Sequence, residues 1–113
     1  MKLLDQKMIA EFREHPLYSN ESAKDPFDCK CIAKFYNPIG PQTWYITEAG
    51  KQDDDYLLFG YCDLGLGDDC AEWGYVSLKE LEGIRLPFGL SIERDRFISG
   101  TVREEIRKVK GNA

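Results

Sequence analysis

The sequence predicts an α+β fold: a single antiparallel sheet of about four to five strands with an N-terminal, a short middle and a C-terminal helix packed on it. Three observations carry this. Apolar residues recur at helical spacing near the start. Short β-rich runs separated by turn signals fill the middle. Two capping-box sequences then open helices in the last third.

Met1, Leu4, Met8 and Phe12, with Ile9 beside them, form one apolar helical face, so a helix is predicted over residues 1–15. Pro16 disfavours helical geometry at His15 and ends it. Residues 17–26 are polar and read as a connecting loop. Residues 27–36 read as a strand, with Cys29, Cys31, Ala33 and Phe35 on one face and Lys30, Lys34 and Tyr36 on the other. Asn37-Pro38-Ile39-Gly40-Pro41 is a turn signal, and residues 43–48 pair back antiparallel. Residues 49–55 read as a polar loop, 56–62 as a third, central strand, and 63–69 as a glycine-containing loop. Residues 73–76 make a fourth short strand. Ser77 with Glu80 forms a capping box that opens a helix over 78–82, ended by Gly83. Residues 90–98 read as a fifth strand whose charges favour an edge. Thr101 with Glu104 opens a helix over 101–110, with Val102, Ile106 and Val109 as its stripe. Its acids come first and its bases last, which suits the helix dipole. The sheet core then spans 27–98 within one domain, 1–113.

A chain of 113 residues buries roughly 65% of its unfolded surface and needs no metal or disulfide to fold. Hydrophobic residues make up 42%, and fourteen Phe, Trp and Tyr residues exclude a disordered chain. A net charge of −5 argues against binding phosphates or anionic lipid through the surface as a whole. No apolar run approaches the ~18–20 residues of a membrane span, and the first residues lack the continuous apolar stretch of a secretory signal. The expectation is a cytoplasmic protein whose Cys29, Cys31, Cys62 and Cys70 are reduced.

The functional signal lies in residues 52–78. They hold seven carboxylates (Asp53, Asp54, Asp55, Asp63, Asp68, Asp69 and Glu72) and no Lys, Arg or His. Such a stretch sets a negative field on one side of a small domain. It would attract a basic partner protein or collect a divalent cation.

Several segments resemble a family of uncharacterised bacterial proteins labelled DUF2958. They are Lys34-Phe35-Tyr36-Asn37-Pro38, then Thr43-Trp44-Tyr45-Ile46-Thr47-Glu48, then Phe59-Gly60-Tyr61-Cys62-Asp63-Leu64-Gly65-Leu66-Gly67. Gly74-Tyr75-Val76-Ser77-Leu78-Lys79-Glu80-Leu81-Glu82 and Leu90-Ser91-Ile92-Glu93-Arg94-Asp95 complete the order. The resemblance implies an accessory role in mobile-element biology, among plasmid, phage and conjugative-element genes. Asp68-Asp69-Cys70-Ala71-Glu72-Trp73 is longer and more acidic than the family pattern, so those residues are poor bearers of any function the family shares, though they could serve one specific to this chain.

Each candidate has a plainer reading beside it. Asp63, Asp68 and Asp69 offer oxygen ligands for Mg²⁺ or Ca²⁺ but lack EF-hand spacing, and Asp commonly stabilises turns. Asp53, Asp54 and Asp55 form either an acidic docking surface or a solvated loop. Cys29-x-Cys31 is too tight and Cys62-x₇-Cys70 too loose for a zinc site, so small buried hydrophobes are expected, with neither zinc nor a Cys62–Cys70 disulfide. His15 is the sole histidine and suits a helix C-terminus better than catalysis. Trp44, Tyr45, Trp73 and Tyr75 read as core or cross-strand neighbours; Tyr36 and Tyr45 read alternatively as exposed aromatics in a binding face. Arg94, Arg96, Arg103, Arg107 and Lys108, with Lys110, offer a nucleic-acid contact or a mixed-charge solvated face.

Three functions are compatible with these residues, ranked in this order. The first is a non-enzymatic acidic module docking on a basic, nucleic-acid-handling protein, as an anti-CRISPR or anti-restriction inhibitor would. The second is a nucleic-acid-binding regulator using the C-terminal basic residues. The third is a small divalent-metal-dependent nuclease, whose carboxylates lack the nearby Lys or His such chemistry usually needs. No cofactor, catalytic residue or membrane partner is expected.

Overall fold

The structure is a computed structural model and describes residues 3–65 and 71–109, Val109 by its backbone alone. The elements are α1 (Gln6–Glu14), β1 (Ala33–Tyr36), β2 (Thr43–Gln52), β3 (Asp55–Asp63), β4 (Ala71–Ser77), α2 (Leu78–Gly83), β5 (Glu93–Arg94) and α3 (Val102–Val109). The strands form one five-stranded antiparallel sheet in the order β4-β3-β2-β1-β5. The expected α+β architecture is therefore present, with β5 at an edge. Among the described residues no helix is long and apolar enough to cross a membrane.

Alternation along β2 sorts the side chains into two cores. Trp44 and Ile46 point to a first face, where Leu4, Met8 and Phe12 of the N-terminal segment and Leu78 and Leu81 of α2 cover Phe35, Ala49 and Leu58. Tyr45 points to a second face, where Val102 and Ile106 of α3 and Phe27 pack against Cys31, Tyr61 and Trp73. Tyr45 is fully buried there, so it is not an exposed binding aromatic.

Because both faces are covered, the outward assignment of Lys34 is overturned. Lys34 is 3% exposed. Its ammonium sits 3.5 Å from Glu105 and 3.4 Å from Asp95, and 5.6 Å from the centre of the Tyr45 ring. Glu105 also accepts from Lys108 at 2.8 Å and from the Ser99 N–H at 3.1 Å. This network fastens α3 to the sheet.

Four boundaries differ from expectation. Residues 27–36 are not one strand: Pro26–Asp28 is a 3₁₀ turn capped by Asp25, which accepts from the Phe27 N–H at 3.0 Å, and regular β1 starts only at Ala33. Residues 49–55 are not a loop, because β2 and β3 continue pairing to Gln52–Asp55 and leave a two-residue turn. β3 lies inside the sheet between β4 and β2, as a central strand should. The fifth strand shrinks to Glu93–Arg94, since Asp95 accepts from the Phe97 N–H at 2.8 Å and turns the chain away. Finally, α1 starts at Gln6, with Asp5 as N-cap accepting from the Met8 N–H at 2.8 Å.

Both capping positions hold. Ser77 accepts from the Glu80 N–H at 3.3 Å. Thr101 and Glu104 exchange bonds, the Thr101 N–H donating to Glu104 at 2.9 Å and the Glu104 N–H to Thr101 Oγ1 at 3.2 Å. His15 is the C-cap of α1; its N–H donates to Phe12 at 3.1 Å, and its carbonyl accepts from the Ala49 N–H at 3.3 Å.

The β2–β3 ladder slips by one residue midway along β2. Ile46 pairs with Gly60, but Glu48 rather than Thr47 pairs with Phe59. Thr47 is thus the extra residue of a β-bulge, which reverses the alternation beyond it. Ala49 returns to the first core, and Glu48 turns to the second face. The bulge needs Gly60: a Cβ there would run into the carbonyl oxygen of Tyr45 and stand 2.8 Å from Ile46 Cα.

Candidate functional site

The described acids of the stretch do not form one patch. β3 runs from Asp55 to Asp63, and nine residues of strand hold those two acids roughly 26 Å apart. Asp53 and Asp54 make the β2–β3 turn, Asp53 with a left-handed φ of 54°. Asp55 opens β3. Asp63 and Glu72 lie at the other end, and Asp68 and Asp69 lie outside the described residues.

Nor is the hairpin end without counter-charge. Lys79 lies one residue beyond the stretch and donates to Asp54 at 2.6 Å. That bond and the Lys79 charge hold the Asp54 carboxyl below the usual range. Asp55 accepts from the Ser77 hydroxyl and from the Lys79 N–H, the latter at 3.1 Å. Those bonds, led by Ser77 and outweighing desolvation, depress its pKa too. Asp55 therefore adds a capping carboxylate to α2, on the Lys79 N–H rather than on the Ser77 N–H that the capping box assigned to Glu80. At the far end Asp63 accepts from the Gly65 N–H at 2.7 Å, which closes a tight turn. Glu72 is exposed on β4 opposite Cys62.

The hairpin end borders a groove of about 540 Å³ on the first face. Leu4, Ile9, Tyr56 and Leu78 supply its apolar lining. Asp5, Asp54, Asp55 and Glu82 rim it with carboxylates, with Lys79 and Arg94 between them. Glu82 accepts from the Leu3 N–H at 2.8 Å. Asp5 lies far from the acid stretch in sequence and Glu82 just past its end, and the packing of α1 and α2 on one sheet face brings both to the hairpin. The N-cap position of Asp5 was the one local signal available.

The C-terminal basic residues are mostly engaged. Arg94 donates to Asp5 at 2.9 Å and reaches Met8 Sδ at 3.4 Å. Arg103 pairs with Asp25 at 2.5 Å and Asp28 at 3.0 Å, and lies 5.8 Å from the Phe27 ring centre. Lys108 pairs with Glu105 and also donates to the Phe97 carbonyl at 3.2 Å. Arg96 and Arg107 are exposed and make no ion pair among the described residues. Lys110 lies outside them.

Cys29, Cys31 and Cys62 are free thiols. Burial pushes the Cys31 thiol up to about 12, and burial with the charge of Glu72 pushes Cys62 up to about 11. Both are protonated and poor nucleophiles at neutral pH. Cys70 lies outside the described residues, and among those described no group of three His, Cys, Asp or Glu is placed to hold a metal ion.

No curated protein and no solved structure matches the chain. A family model described as "Protein of unknown function (DUF2958)" matches residues 3–105. That span takes in α1, all five strands, α2 and half of α3, along with both ends of the acidic stretch. The chain therefore belongs to the DUF2958 family.

Proposed function

We propose that the protein is a non-enzymatic acidic interaction module that docks on a basic, nucleic-acid-handling protein. The supporting observation is the hairpin-end groove, where an apolar lining of Leu4, Ile9, Tyr56 and Leu78 is rimmed by four carboxylates, Asp5, Asp54, Asp55 and Glu82, against two cations, Lys79 and Arg94. Apolar area at the centre with charge at the rim is how protein interfaces are built, and a negative rim steers a positive partner. The chain's net charge of −5 acts in the same direction. The mobile-element association that the family resemblance implies narrows the proposal to an inhibitor of the anti-CRISPR or anti-restriction kind.

A tagged pull-down from nuclease-treated bacterial lysate tests this. The comparison variant is Asp53→Lys/Asp54→Lys, which reverses the turn charges and leaves the Asp55 cap intact. A basic DNA-handling protein retained by the native chain and lost by the variant is the expected result. No such protein, or one retained equally by both, would sink the proposal.

A further inference from the structure

On the second sheet face, away from the hairpin groove, the Thr47 bulge delivers Glu48 into a row of aromatic rings. Phe59 lies 5.9 Å from Trp73, with the two planes 24° apart, and 4.9 Å from Tyr75. The 17–26 loop lies along the other side, leaving a groove of about 400 Å³ lined by Tyr18, Cys29, Glu48, Phe59, Trp73 and Tyr75.

Glu48 is the unusual member. It is 4% exposed, yet no Lys, Arg or His among the described residues forms an ion pair with it. Among the described residues its oxygens accept only from the Tyr18 N–H at 2.7 Å and the Asn20 N–H at 2.8 Å. These two bonds hold Tyr18 in its left-handed conformation, with φ of 71°. A carboxylate has about four acceptor positions, so roughly half remain unused. Buried carboxylates are ordinarily matched by a cation. The charge reaches the neighbours: after burial itself, Glu48 is the leading influence pushing the Cys29 thiol up. It also contributes, behind burial and the bond with Tyr18, to the raised Tyr75 hydroxyl.

We infer that this groove receives the guanidinium of an arginine side chain on a partner polypeptide. Aromatic faces attract cations, and a planar guanidinium stacks on a ring face, here Phe59 and Trp73 or the Tyr75 ring tilted 55° to Phe59, while donating to a carboxylate. Glu48 supplies the charge and the free acceptor positions; Phe59, Trp73 and Tyr75 supply the stacking surface. The groove itself is otherwise acidic, since Glu21 also lines it. The inference stands apart from the hairpin groove, which lies on the other face.

The test is titration of a short capped Ala-Arg-Ala peptide, and of its neutral citrulline counterpart, followed by the Trp73 indole resonance. The arginine peptide is expected to shift it saturably and to bind about tenfold more tightly than the citrulline peptide. Glu48→Gln and Tyr75→Ala should each weaken the arginine peptide, and Tyr75, half exposed, can be truncated without opening the core. Asp53→Lys/Asp54→Lys should bind it as the native chain does. Equal binding of the two peptides, or no saturable shift, overturns the inference. So does unchanged affinity in both groove variants, or loss of binding in the hairpin variant.

Discussion

Asp55, the first residue of β3, accepts a hydrogen bond from the hydroxyl of Ser77, the N-cap of α2. The bond couples the start of one strand to the start of the helix that continues from its neighbour. Ser77→Ala should cost about 1 kcal/mol, the usual worth of an N-cap, read from urea unfolding. Asp55→Asn should destabilise in the same direction, and the double variant should fall short of the sum because both changes break one bond. Asp53→Asn, at a turn position with left-handed backbone that Asn tolerates, should leave the midpoint where it is.

Glu105 predicts an acid transition. Its burial would raise its pKa, but the bond from Lys108, the Ser99 N–H and the charge of Lys34 outweigh that and leave it lowered. A carboxyl depressed in the folded state stabilises above its unfolded pKa of about 4.3, and that contribution fades as pH falls through the folded value. Stability should therefore drop below about pH 4, and the drop should be shallower in Glu105→Gln. Glu105→Ala at neutral pH should cost about 3 kcal/mol, because Lys34 keeps its burial and loses its buried partner. Chemical denaturation across pH measures both.

Gly60→Ala should cost about 2–3 kcal/mol, since the new methyl meets the Tyr45 carbonyl on the neighbouring strand and the bulge must shift. Loss of the slow-exchanging amides around Thr47 and Phe59 would accompany it.

Tyr45→Phe should leave the fold intact and raise stability by up to about 1 kcal/mol, measured by thermal or urea unfolding. The Tyr45 hydroxyl is buried with no hydrogen-bond partner among the described residues, and burial, with the Asp63 charge behind it, pushes its pKa up. Removing the oxygen relieves that desolvation and keeps the ring beneath the Lys34 ammonium.

The sequence was most legible where local chemistry decides. The two N-caps, the turn at 37–41 and the strands around Thr43, Tyr56 and Trp73 follow from residue type and spacing alone. It was least legible where a distant element decides. Lys34 reads as outward until α3 lies over it, because period-two reading assumes one wet face. Lys51 and Gln52 look like loop residues, yet their backbones extend the β2–β3 ladder, which side-chain polarity does not report. Thr47 carries no local mark of a bulge, so the turn of Glu48 toward Phe59 was invisible. The acid-only run suggested one field, but strand geometry sends Asp53 and Asp63 to opposite ends, and Lys79, just past the run, reaches back to Asp54.

The most direct test of the docking proposal is the dissociation constant of the protein retained from lysate, once purified, for the native chain and for Asp53→Lys/Asp54→Lys at low and moderate salt. The proposal predicts binding to the native chain that weakens with salt, and at least about tenfold weaker binding to the variant, mostly through slower association. Equal constants for the two chains at both salt concentrations would contradict it and return the hairpin acids to solvating the turn.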